Sequence, residues 1–475
     1  MKKLKLLAGF MVLFAVSYAY ASESVLTMQE YLNMVSEKNS ELKSVQSNID
    51  AVKGKIAEIE RTYSYFLSAG ANYAYDASGK PYSFISVIGN LSNFTYDASL
   101  SRQFETGTQV SVGLQGSHWN YKFDFGGADY SVSDISPFVR LSQSLIKDFD
   151  GGATKASIAQ ARASANSVLY LLEYRKQSIL LNARLAYWNL SYSQTVIDYR
   201  QASLDRTKKI LEWNQRRYNM DLAERSDMLQ SQAAVKMREL NLRLAYEEET
   251  RSKRVFNQFL EIPDSSAVIY NVERFDKIDM SFVNASAPNR RGTRFDVLSA
   301  LEDVKSADFA SQAQERNMGA DLVVAGQIGA NSAYGELANK TNSLSTGGPS
   351  FAVGLRYTLP LDFSLRKDIN KGFESAKISS QKAAQSAAVR ENTDWLLLMD
   401  NWNNAKFRLN LAREIQKIQQ DRNNEDQDLL RRGRSTTFFV LQSEQDLDDA
   451  NLSVLQGKLE LISIYELAEA FYNNK

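Results

Sequence analysis

The chain has 475 residues, and its 56 lysines and arginines are balanced by 56 aspartates and glutamates, so the formal net charge is zero and a nucleic-acid partner has no electrostatic support. It contains no cysteine and a single histidine, His118. That excludes disulfides, thiolate nucleophiles and a lipidated cysteine, and leaves no nucleophile, base or metal constellation to carry an enzyme.

The N-terminus combines Lys2, Lys3 and Lys5 with an apolar run from Leu6 to Val16 and the small-residue site Ala19-Tyr20-Ala21. This pattern predicts a secretory signal peptide over residues 1–21. The apolar run falls short of the roughly 20 residues that a spanning helix needs. No later stretch is long and apolar enough to span as a helix, so any membrane segment must be built from β-strands.

From Thr27 to Thr62 the positions Met28, Leu32, Val35, Leu42, Val45, Ile49, Val52, Ile56 and Ile59 form one apolar helical face. The period changes at Leu67. Alternating segments follow on Leu67 to Tyr75, Phe94 to Leu100, Val110 to Leu114, and Val139 to Leu145, the language of strands. Only Phe104 to Gly107 separates the second segment from the third, whereas longer loops are expected on the other side, with His118 in one of them beside Trp119. One face of each segment is nearly all Ser, Thr, Gly, Asn, Asp and Gln, which fits an outer-membrane barrel better than a soluble β-sandwich.

After Gly151-Gly152 a helical pattern free of proline runs to Tyr218, with small residues in its first half and large ones in its second. A helix this long must associate as a coiled coil. A turn at Asp221 leads into another helix ending near Leu260.

The chain then repeats itself. At one constant offset Asp221 falls on Gly433, and Leu229-Gln230-Ser231 falls on Leu441-Gln442-Ser443. Upstream, Glu60-Arg61 matches Glu315-Arg316, and Asp148-Phe149 matches Asp362-Phe363. A repeat of this kind fixes architecture before chemistry. The expected organisation is a first unit over 22–262, a linker over 263–293 with Pro263 and Pro288, and a second unit over 294–475. The second unit is read as a shorter helix, strands over about 320–361, a long helix, a turn and a last helix. Leu67 and Leu141 stand more than twice as far apart as Leu322 and Leu355. The surplus holds two further alternating segments, which predicts six strands per chain.

This order, with the signal peptide and the two turn motifs, resembles the TolC-like outer-membrane efflux and secretion channels. Arg217-Tyr218, Ser226-Asp227 and Leu229-Gln230-Ser231-Gln232 match the family's first turn, with Asp221 in place of its glycine. Gly433, Ser435 and Leu441-Gln442-Ser443 match the second, with Leu430 in place of its tyrosine. The resemblance implies an α+β membrane protein in which long coiled-coil helices and transmembrane strands form a duplicated unit. Three copies would join a β-barrel in outer-membrane lipid to a periplasmic α-helical barrel.

It further implies a passive exit duct, without cofactor or catalytic residues, reached through a periplasmic adaptor (membrane fusion) protein from an inner-membrane pump. A type I secretion role is equally open. The family expectation is four strands per chain, against the six read here. The turns at Tyr218, Asp221 and Leu222, and at Gly433, Arg434 and Ser435, would be the adaptor-docking tip. Asp227 facing Arg431, Arg432 or Arg434 would be a charged gate. Glu444, Asp446, Asp448 and Asp449 are read either as acidic rings at the tunnel mouth or as an ordinary solvated helix face. A structural coiled-coil protein without a conduit is the alternative, and the polar strand face argues against it.

Overall fold

The computed structural model describes residues 25–263, 270–278, 280, 287–337 and 344–471. The predicted signal peptide lies outside these, as does part of the predicted linker. The chain divides into two compact units, one formed by Met1–Leu42, Ile179–Asn289 and Leu398–Glu469, the other by Lys43–Ser178, Arg290–Leu397 and Ala470–Lys475.

Seven α-helices occur among the described residues: α1 Met28–Lys38, α2 Ser40–Glu60, α3 Gly152–Asn219, α4 Arg225–Phe259, α5 Phe295–Asn317, α6 Phe363–Arg431 and α7 Thr437–Ala468. None of them is long and apolar enough to cross a membrane. The first unit holds α1, α4, α7 and the turn-proximal parts of α3 and α6. Its core is aromatic: Phe256 stacks on Tyr31 at 4.0 Å, Tyr187 lies 5.9 Å from Tyr31, and Trp188 meets Phe275 edge-on at 6.4 Å. Buried Phe275 and Val272 belong to the stretch read as linker, so its segment 270–278 is built into this core. A parallel bridge from Leu26 to Val272 ties it to the start of α1, where Thr27 and Glu30 form a capping box.

The helix expected from Thr27 to Thr62 is interrupted. Asn39 is extended, its carboxamide oxygen accepts from the Leu42 N–H at 2.8 Å, and its Nδ2 donates to the Phe259 carbonyl at 3.1 Å. The side chain starts α2 afresh and anchors it to the end of α4, a tertiary contact that apolar periodicity does not register.

The second unit contains one antiparallel sheet. Its strands are β1 Tyr65–Asp76, β2 Lys80–Ser83, β3 Ser86–Gln103, β4 Thr108–Phe125, β5 Tyr130–Ser144, β6 Asp321–Leu337 and β7 Leu344–Thr358. The path is β1-β3-β4-β5-β6-β7, with short β2 pairing on β3 beyond β1. The sheet thus has six long strands, and they extend further than the alternation alone implies. β4 runs on to Phe125 and only 126–129 separate it from β5, so the long loop expected there is strand. His118 accordingly sits in β4, its Nδ1 2.8 Å from Ser133 Oγ of β5, and not in a loop. The tight turn at Phe104 to Gly107 is as expected, with Gly107 at φ 75°. Below the sheet, Asp148 caps the start of α3 by accepting from the Thr154 N–H and hydroxyl at 2.8 and 2.7 Å. Its repeat counterpart Asp362 accepts from the Leu365 N–H at 3.0 Å at the start of α6. Small residues let helices approach closely here: Ser167 of α3 meets Ser299 of α5 at 2.9 Å between hydroxyls, both buried.

Candidate channel wall and turns

The ladder register sorts the sheet into two faces. Leu67 pairs with Leu100, Leu100 with Val112, Val112 with Val139, Val139 with Ile328, and Ile328 with Phe351, one apolar row crossing all six long strands. These side chains are exposed, up to 80% at Leu67 and 86% at Phe351. A neighbouring row on the opposite face runs through Asn72, Thr95, Ser117, Asp134 and Ala333. On that face Arg140 donates to Gln327 Oε1 at 2.8 and 3.0 Å. Strands apolar on one side and polar on the other suit a wall between lipid and an aqueous lumen. Tyr65, Tyr73, Tyr75 and Tyr357 lie on the apolar face near the strand ends, where such walls carry aromatic girdles, and Phe94 and Tyr96 lie on the same face in the middle of β3, Phe94 paired with Tyr73.

The two turns share one geometry. At the end of α3 the Leu222 N–H donates to the Arg217 carbonyl at 2.8 Å and the Asp221 N–H to the Tyr218 carbonyl at 3.0 Å. At the end of α6 the Arg434 N–H donates to Leu429 at 2.8 Å and the Gly433 N–H to Leu430 at 3.0 Å. Both are Schellman closures, with Asp221 at φ 58° and Gly433 at φ 72° in the left-handed position. The N-cap of the next helix comes three residues later in each case, at Glu224 and Thr436. Tyr218, Asp221, Leu222, Gly433 and Arg434 are exposed, and Ser435 is half-buried.

Residues 94–252, from within β3 to within α4, match the family described as outer membrane efflux protein. Among solved structures the chain is similar to the outer-membrane channel CmeC of Campylobacter jejuni, with 13% identity, TM-score 0.61, and 99% of this chain and 94% of that one covered. The open state of the Neisseria gonorrhoeae channel MtrE matches with 14% identity, TM-score 0.63, and coverage of 94% and 88%. The outer-membrane protein VceC of Vibrio cholerae matches with 15% identity, TM-score 0.61, and coverage of 94% and 95%. The chain has the fold of an outer-membrane efflux channel. No curated protein sequence matches it.

Within one copy of this efflux-channel fold the candidate gate residues are not joined. Arg432 pairs with Asp428 one turn back on α6, and no ion pair links Asp227 to Arg431, Arg432 or Arg434 among the described residues. Asp227 instead occupies the first turn of α4, half-buried.

The four acidic residues Glu444, Asp446, Asp448 and Asp449 in the first half of α7 divide into two pairs. Asp446 and Asp449 are the partly exposed pair, Asp446 meeting Arg422 at 2.7 Å. Glu444 and Asp448 are buried inside the helical unit, so they form neither a lumenal ring nor a solvated face. Glu444 accepts from Arg206 Nε at 2.8 Å, Asn423 Nδ2 at 3.0 Å and Gln427 Nε2 at 2.7 Å. Asp448 pairs with Arg200 and lies 3.7 Å from Arg238. Burial raises the Asp448 carboxyl above its usual range despite both arginines, and burial also lowers Arg238.

The repeated Leu-Gln-Ser motif proves structural. Ser231 is held by buried Asn214, and Ser443 donates to Asn423 at 3.1 Å, so each long helix offers an asparagine to the serine of the helix that follows it. Asn214 also accepts from Thr437 Oγ1 at 3.0 Å, which ties the starts of α4 and α7 together behind the turns. The sequence carried a signal for this layer: Glu444 and Asp448 stand at helical spacing on the stripe of Val440 and Leu447, an apolar and buried one.

Proposed function

We propose that this chain is the exit duct of an efflux or secretion system, three copies forming a passive channel through the outer membrane and into the periplasm. The observation that carries the reading is the two-faced sheet, whose apolar row crosses every long strand while the opposite face is polar. In this reading the apolar face meets lipid and the polar face lines water. Nothing in such a conduit requires a catalytic group; transport is driven by an inner-membrane pump reached through a periplasmic adaptor. The tip turns would dock that adaptor, and exposed Met220, Leu222, Phe438 and Phe439 give them apolar contact surface.

Asp221 places a carboxylate in the turn where the family carries glycine, so the adaptor that fits this chain would differ in charge from those of its relatives. A coiled-coil protein without a conduit has no use for a polar strand face. The test is to isolate the outer-membrane fraction, size the protein in mild detergent, and record it in a planar bilayer. A trimer with stepwise conductance is expected; a monomer without conductance overturns the proposal.

A further inference from the structure

The helix-proximal rim of the apolar face holds a charge and a cavity that a conduit does not need. On that face β3 carries only Phe94, Tyr96, Ala98 and Leu100 between Ser92 and Arg102. At about 3.3 Å per residue and about 40° of tilt this span crosses roughly 25 Å, the height of the apolar band of a barrel wall. Arg102 therefore stands at one boundary of the band, at the end of the strands that joins the helices. Its guanidinium lies 4.8 Å from the ring centre of Tyr65 and 5.1 Å from that of Phe104. Nε donates to the Tyr63 carbonyl at 3.1 Å and Nη1 to the Tyr65 hydroxyl at 2.9 Å, which fixes the fork. Among the described residues Nη2 has no acceptor and no carboxylate pairs with Arg102.

Beside this group is a cavity of about 470 Å³, whose lining includes Tyr63, Arg102, Phe104, Glu105, Thr106 and Val110. Glu105 is exposed on the tight turn between β3 and β4, and its carboxylate has no cation or donor among the described residues. The Tyr63 phenol is held in its protonated form, first by burial and then by the Glu105 and Asp148 carboxylates, so it remains a donor. One cavity at the edge of the band thus offers an arginine fork without an anion, a phenol, and a carboxylate without a cation, with Val110 and Leu100 leading from it along the apolar face.

We propose that this rim binds the headgroup of a zwitterionic phospholipid bearing a primary ammonium, the phosphatidylethanolamine class. The phosphate meets Arg102 and Tyr63, the ammonium meets Glu105, and the acyl chains follow the apolar face past Val110 and Leu100. The proposal rests on the reading above that this face meets lipid. A guanidinium fork accepts any phosphate, so the selectivity lies in Glu105. That carboxylate repels a purely anionic headgroup, and a trimethylammonium has no N–H to donate to it. The same lipid ties the turn between β3 and β4 to the leaflet on the helical side and fixes the depth of the wall in the membrane.

The test is native mass spectrometry of the delipidated protein in mild detergent, titrated with phosphatidylethanolamine, phosphatidylglycerol and phosphatidylcholine of identical acyl chains, and with water-soluble phosphoethanolamine. Conductance is recorded on the same preparation. The ethanolamine lipid should be retained roughly tenfold more tightly than the other two, the difference of about one charge-assisted hydrogen bond, and phosphoethanolamine alone should not be retained. Arg102→Ala should lose that retention. Because Arg102 also holds the Tyr63 carbonyl, the deciding variant is Glu105→Gln, which changes an exposed turn residue; it should bring the ethanolamine lipid down to the level of the choline lipid and raise retention of the glycerol lipid. Equal retention of the three lipids by the parent, an ethanolamine preference that survives Glu105→Gln, or retention of phosphoethanolamine as tight as that of the lipid overturns the inference, and a conducting channel with any of these results leaves the duct reading intact. Loss of the trimer and of conductance in the parent overturns the duct reading itself.

Discussion

Replacing Glu444 by alanine tests whether the buried ionic layer behind the turns holds the helices in register. The side chain is fully buried and accepts three hydrogen bonds, from Arg206, Asn423 and Gln427. Bonds to a charged group contribute about 1.5–3 kcal/mol each, but the three are not additive. Arg206, 37% exposed, regains water when its partner is lost, whereas Asn423 is left with a buried unpaired amide. Breaking a buried pair costs about 3–5 kcal/mol, and this range is the one expected for Glu444→Ala. For a unit of roughly this size each kcal/mol moves the midpoint about 2–4 °C, so the detergent-solubilised variant should melt roughly 6–20 °C lower by far-ultraviolet circular dichroism. Asp446→Ala, whose partner Arg422 is in water, should shift it by no more than about 1 kcal/mol. Equal midpoints for Glu444→Ala and the parent would refute the argument and return Glu444 to the rank of an ordinary surface charge.

Four further outcomes are expected. Phe256→Ala removes a fully buried ring stacked on Tyr31 and should destabilise the helical unit by about 3–5 kcal/mol, read as a lower denaturation midpoint. At the turns, Asp221→Gly should be neutral or stabilising by up to about 1 kcal/mol, while Gly433→Ala should cost about 1–2 kcal/mol from its φ of 72° alone, since no atom crowds it; the opposite order would count against the Schellman assignment. Burial raises the Asp448 carboxyl, so the folded state holds its proton more tightly than the unfolded chain, and this group's contribution is lost as pH rises from its ordinary value of about 4 through the raised one. Asp448→Asn should therefore cost more stability near about pH 4 than near about pH 7, and a cost that grows with pH instead would reverse the sign of the argument. Asp227→Ala should leave folding intact and raise single-channel conductance if the arginines of neighbouring copies face it; unchanged conductance would leave the tip held by packing.

Periodicity determined which stretches of this chain are helix and which are strand, and the duplication determined their order, because both depend on neighbours within a few residues or on copies of one pattern. The parity of Leu67, Leu100, Val112, Val139, Ile328 and Phe351 placed them on one face before any partner was known, since successive strand side chains point to opposite sides. Asp221 and Gly433 were likewise readable as turn residues from their place in the repeat. Strand ends were not: β4 continues past His118 because β3 and β5 pair with it there, and hydrogen bonds to a neighbouring strand leave no mark on alternation. The break at Asn39 depends on the Phe259 carbonyl, more than two hundred residues away in sequence. Composition gave Glu444 and Asp448 the same standing as Asp446 and Asp449, since charge on a helix says nothing about what faces it. Only the tertiary structure, by bringing Arg206, Arg200, Arg238 and Asn423 against that face, decided that two of the four carboxylates are interior.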